Sequence, residues 1–130
     1  MAQSAGLHES EDRLSPETID RHRAIASIQE ELEAVDWYDQ RVDATTDPDL
    51  ASVLAHNRDE EKEHAAMTLE WLRRKDPVLD GHLRTYLFTS EPVVAIEHES
   101  EDVDAPATSA GGSLGIGDLR THSRAAPILL

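Results

Sequence analysis

Cysteine is absent from the 130-residue sequence, which excludes disulfide staples, cysteine-based zinc sites and thiol chemistry. Basic residues are scarce: 12 Lys and Arg stand against 27 Asp and Glu, for a formal net charge of −15. So acidic a surface argues against nucleic acid and against anionic membranes, which bind through basic patches, and favours cations or a basic partner. No apolar run approaches the roughly 18 residues of a membrane span, and residues 1–12 lack the apolar stretch of a signal peptide. The expectation is a soluble, intracellular protein. At 14.4 kDa the chain is one domain's worth, with a modest core.

Glycine and proline are missing from two long stretches, 16–43 and 48–75, beyond the prolines that open them. Ser15-Pro16, Asp47-Pro48 and Asp76-Pro77 each place a capping oxygen before a proline suited to a first helical turn. The two stretches are each about 28 residues, or roughly 42 Å of helix. The link between them, Ala44-Thr45-Thr46-Asp47, is short enough to force an antiparallel hairpin. A short third helix is predicted over 77–89, weakened by Gly81. No strand pattern competes, so the fold class is all-α.

Composition changes after Glu91: 97–104 is acidic, and 105–112 is Ala, Pro, Thr, Ser and Gly. The sequence thus divides into a flexible N-terminus at 1–14, a helical domain at 15–91, a flexible linker at 92–112 and a tail at 113–130. The core of that tail, 113–120, reads Ser-Leu-Gly-Ile-Gly-Asp-Leu-Arg, and the chain closes on Ile128-Leu129-Leu130. Apolar residues at the end of a tether suggest a docking peptide; the plainer alternative is a featureless tail.

Placing residues on helix faces gives two seams spaced by threes and fours. One runs Ala24, Ile28, Glu31, Val35, Tyr38, Val42; the other runs Leu50, Leu54, Asn57, Glu61, His64, Thr68, Trp71. Both have carboxylates where core residues belong, and a carboxylate inside a bundle is costly unless a partner neutralises it. Glu61 and His64 form Glu-x-x-His, one turn apart on a single face. Ferritin-like di-iron bundles take one Glu from each of two helices and a Glu-x-x-His from each of the other two. This chain holds half of that set. Two hairpins about a two-fold axis would complete a ferritin-like four-helix bundle, with Glu31, Glu61 and His64 contributed by both chains.

Carboxylate oxygens are hard donors that favour ferric iron, and imidazole suits iron as well; the same set admits Ca²⁺ or other divalent ions. The chemistry implied is oxidation of Fe²⁺ to Fe³⁺ at a paired site. Against this, Glu-x-x-His is common in acidic helices, and the run Asp59-Glu60-Glu61-Lys62-Glu63 by itself reads as a solvated face. Tyr38 lies on the seam two turns from Glu31, as a candidate support for a liganding carboxylate. Glu30 and Glu33 flank Glu31 as a candidate mouth for iron, and Trp37 reads as a core or interface aromatic. His56, Glu60 and Glu63 share a neighbouring face, a weaker secondary metal site or a set of interface salt bridges.

The residues from Glu30 to Arg41 (EELEAVDWYDQR), with those from Leu54 to Met67 (LAHNRDEEKEHAAM), resemble the encapsulated ferritin family over 21–89. The segment 113–120 is similar to the peptide by which cargo binds the inner wall of an encapsulin shell. The resemblance implies a two-helix hairpin with a short third helix, paired into ferritin-like bundles and closed into a ring of ten subunits. It implies a ferroxidase inside an encapsulin nanocompartment, which holds the mineral. Carried over residue by residue, it makes Glu31, Glu61 and His64 from two chains the ferroxidase centre, with Tyr38 in support. It also makes Glu30, Glu33 and Trp37 the lining of the iron approach. One departure is that ten residues follow Arg120, where such peptides usually stand at or near the C-terminus. Two rivals stay open: another iron or manganese oxidase or peroxidase on the same half-bundle, and a non-catalytic helical interaction module.

Overall fold

The computed structural model describes residues 6–104, all of its regular structure helical. It divides into two units, one ending at Asp76 and one beginning at Pro77. The first holds a short 3-10 turn (Glu11–Arg13) and two long helices, α1 (Pro16–Ala44) and α2 (Pro48–Lys75). The second holds α3 (Pro77–Tyr86) and α4 (Val93–Asp104). No described helix is long and apolar enough to cross a membrane.

Local hydrogen bonds fix the helix starts. Ser15 accepts from the Thr18 amide at 3.1 Å, and Pro16 opens α1. The Asp47 carboxylate accepts from the amides of Asp49 at 2.9 Å and Leu50 at 3.3 Å, and Pro48 opens α2. These oxygens satisfy amides that have no partner within the helix. Between the helices only residues 45–47 remain, and α1 packs along α2 as an antiparallel hairpin.

The hairpin has little core. Ala24, Ala65 and Leu72 are buried, and no large side chain among the described residues is fully so. All six residues of the α1 seam are buried or half-buried. Within one chain the α2 seam divides: Leu54, Asn57, Glu61 and Thr68 are half-buried, and Leu50, His64 and Trp71 are exposed. The line that faces α1 runs Ala51, Leu54, Arg58, Glu61, Ala65, Leu72, all buried or half-buried. Leu50, Val53, Met67 and Trp71 lie one step round the helix, with Met67 64% exposed.

In the second unit, α3 stops at Tyr86 rather than continuing to residue 89. The Leu87 amide still donates to the Leu83 carbonyl at 2.9 Å, but Phe88 then turns left-handed (φ 61°) and ends the helix. Gly81 does not interrupt α3. Residues 93–104, expected to be linker, form α4 packed on α3, a correction to the composition argument. Val93, Ile96, Ser100 and Val103 recur at helical spacing, with Ile96 and Ser100 half-buried, and the Pro92 carbonyl accepts from the Ile96 amide at 3.2 Å. The acidic residues hid that stripe. Residues 1–5, the remaining linker and the docking tail at 113–130 lie outside the described residues.

Candidate metal centre

The antiparallel register sets the candidate ligands at one level. Near one end of the hairpin, Ala24 and Ser27 line a groove with Met67 and Trp71; toward the other, Arg58 reaches Asp39. Counting inward from both contacts places Glu31 opposite the turn of α2 that carries Glu61 and His64.

The Glu31 carboxylate is half-buried, and its Oε2 is fully buried with no hydrogen-bond partner. An orphaned carboxylate oxygen is unfavourable, and a native fold that retains one invites a functional explanation. Across from it, His64 Nδ1 stands 3.7 Å from Glu61 Oε2, longer than a hydrogen bond. Thus neither the imidazole nor that carboxylate oxygen is consumed by a tight contact with the other. Glu61 is 28% exposed at its side chain and His64 48%, so the pair stays accessible from outside the hairpin.

The three residues do not close a site within one chain. Among the described residues, no group of three or more His, Asp or Glu side chains is gathered closely enough to hold a metal ion. Two hard carboxylates and an imidazole, one oxygen orphaned and the pair accessible from outside the hairpin, nonetheless fit half of a di-iron set as donors.

The structure distributes the weaker candidates differently. Tyr38 lies seven residues, two turns, from Glu31, and the buried Glu31 Oε2 takes no hydrogen bond from it. Its ring instead carries the Arg41 guanidinium at 5.5 Å, and Arg41 also lies 6.0 Å from the Trp37 ring. Glu30, Glu33 and Trp37 form an exposed stripe beside Glu31, Trp37 being 48% exposed. Of the secondary set, His56 Nε2 and Glu60 Oε1 meet at 3.5 Å, while Glu63 is exposed and makes no ion pair among the described residues.

Two cations escaped the sequence reading. Arg41 caps the aromatic stripe, and its spacing of three and four from Tyr38 and Trp37 could have revealed it. Arg58 donates from Nη1 to Asp39 Oδ1 at 2.9 Å and from Nε to Asp59 Oδ1 at 3.1 Å. These bonds, Asp59 first, raise the Arg58 pKa further and hold Asp59 below the usual carboxylate range, where Lys62 also contributes.

The EncFtn-like family model matches residues 6–90. An encapsulated ferritin-like protein of Rhodospirillum rubrum is 63% identical over 129 residues, covering 92% of each chain. A ferritin-like protein of Thermotoga maritima is 50% identical, over 84% of this chain and 93% of the relative. An encapsulin nanocompartment cargo protein of Myxococcus xanthus is 33% identical over 65% of each. Among solved structures, a protein of Nitrosomonas europaea superposes with a TM-score of 0.66 at 61% identity, covering 68% of this chain and 97% of that one.

Proposed function

The chain belongs to the EncFtn-like family, and on that premise we propose that it is a ferroxidase whose iron site lies between two copies. Two hairpins packed about a two-fold axis bring together two copies each of Glu31, Glu61 and His64. Fe²⁺ is the substrate. Each Fe²⁺ gives up one electron on becoming Fe³⁺, so a pair of ions supplies the two electrons and, with two protons from solvent, turns one O₂ into hydrogen peroxide. When the oxidant is peroxide, the same two electrons and two protons yield two waters.

The residues of the chain have separate tasks. Glu31, Glu61 and His64 hold the ions, and their hard donors favour the ferric product. Glu30 and Glu33 concentrate cations at the mouth, helped by the net charge of −15. Trp37 narrows the approach. Tyr38, which leaves its own Glu31 Oε2 unbonded, supports a carboxylate of the other chain. The Fe³⁺ product passes to mineral storage in an encapsulin shell, to which segment 113–120 docks the protein.

The observation that carries this reading is the buried, unpartnered Oε2 of Glu31, opposite Glu61 and His64 in a hairpin that buries only Ala24, Ala65 and Leu72 among the described residues. Exposed Leu50, Val53, Met67 and Trp71 provide the apolar face for the second copy. The test is aerobic Fe²⁺ oxidation followed by ultraviolet absorbance in wild type and in Glu31→Ala, Glu61→Ala and His64→Ala. The expected result is a fast wild-type rate that falls to the buffer rate in all three. Equal slow rates in every protein would overturn the reading in favour of a non-catalytic module.

A further inference from the structure

Among the described residues, the ion pairs made by Lys and Arg avoid the candidate iron ligands. The described Lys and Arg side chains pair as Arg23 with Asp20, Arg58 with Asp39 and Asp59, Lys62 with Asp59, Arg73 and Arg74 with Glu70, and Arg84 with Asp80. Among the described residues, no Lys or Arg pairs with Glu31 or Glu61.

Arg58 is the informative case. It sits three residues before Glu61 on the line of α2 that faces α1, and its side chain is only 23% exposed. Residues three apart on a helix are neighbours, so Arg58 and Glu61 are placed for a salt bridge. It does not form. The guanidinium is held at both sides instead, by Asp39 of α1 at 2.9 Å and by Asp59 at 3.1 Å, and Asp59 Oδ1 also takes Lys62 Nζ at 3.2 Å.

We propose that Asp39 and Asp59 form a charge lock that keeps the Arg58 guanidinium off Glu61 and so preserves that carboxylate for a divalent cation. Asp39 and Asp59 are positioning residues, because they act through Arg58 and touch no iron. A freed guanidinium would compete directly with the metal, since it is always charged and matches carboxylate geometry in a two-pronged bond. The lock rests on the ferroxidase reading of Glu61, and its test separates the two.

The experiment is anaerobic titration calorimetry with Fe²⁺ on three full-length proteins, with circular dichroism to verify that each is folded. They are wild type, the double variant Asp39→Asn with Asp59→Asn, and that double variant with Arg58→Gln added. The lock predicts that the double variant binds Fe²⁺ about fivefold to tenfold more weakly, the scale of one partly exposed charge pair. It predicts that adding Arg58→Gln restores the wild-type affinity, because the competitor is gone. A merely structural tie between α1 and α2 would stay broken in the triple variant, so continued weak binding there overturns the lock. Undiminished binding in the double variant overturns it too. Wild-type protein that takes up no Fe²⁺ removes the ferroxidase reading, and the lock with it.

Discussion

Oε2 of Glu31 has no hydrogen-bond partner, although the residue stands at the level of the turn of α2 where His64 Nδ1 lies 3.7 Å from Glu61 Oε2. The carboxylate is therefore kept at a cost to folding. In metal-free protein, Glu31→Leu is expected to raise stability by about 1–2 kcal/mol, because it removes an unsatisfied buried oxygen and adds apolar packing. Thermal melting by circular dichroism checks this. An unchanged or lowered midpoint would show that the oxygen is satisfied in the native protein.

The exposed face of α2 predicts self-association. Met67 is 64% exposed and shares a groove of about 500 Å³ with Trp71. Met67→Glu puts a charge onto that face and is expected to shift the protein toward a 14.4 kDa species in sedimentation. Wild-type protein sedimenting as a monomer would contradict the two-copy bundle.

Glu70 predicts a pH dependence at the end of α2. Arg73 and Arg74 bond its carboxylate at 2.6–2.8 Å and hold its pKa down from 4.5 to about 2. A carboxylate depressed in the folded state contributes stability above its unfolded pKa and loses it as pH falls toward the folded one. Glu70→Gln should therefore lower helicity slightly at pH 7 and lose that effect as pH drops from about 4.5 to 2. Far-ultraviolet circular dichroism of both proteins across that range reads the difference, which stays small because the side chain is 42% exposed.

The left-handed Phe88 predicts a stabilising substitution. It combines φ 61° with 82% exposure, so it bears the strain of a glycine-type helix stop and buries little in return. Phe88→Gly should stabilise the end of α3 by about 1 kcal/mol, and Phe88→Ala should not. Amide hydrogen exchange at Tyr86 and Leu87 distinguishes them.

What could be read from the sequence was mostly local. The starts of α1 and α2 follow from Ser15 and Asp47, whose caps involve residues two or three positions away. Periodicity found Glu31 and Glu61 on half-buried lines but did not separate the stripe that meets α1 from the exposed stripe of Leu50, His64 and Trp71, because adjacent stripes of one helix share the same spacing. Only packing decides which stripe meets α1. α4 was missed because acidic composition, averaged over a window, hid the Val93, Ile96, Ser100, Val103 stripe. The Arg58–Asp39 bond spans 19 positions and depends on hairpin register, which no local pattern encodes.

The central claim is that iron is oxidised between two chains. The most direct measurement separates associated from monomeric protein by size, using Met67→Glu as the monomer source, and follows aerobic Fe²⁺ oxidation and bound iron in each. The account predicts fast oxidation with about one iron per chain in the associated fraction, by the half-site argument, and only the buffer rate in the monomer. A monomer that oxidises Fe²⁺ as fast as the assembly, or an assembly no faster than buffer, would contradict it.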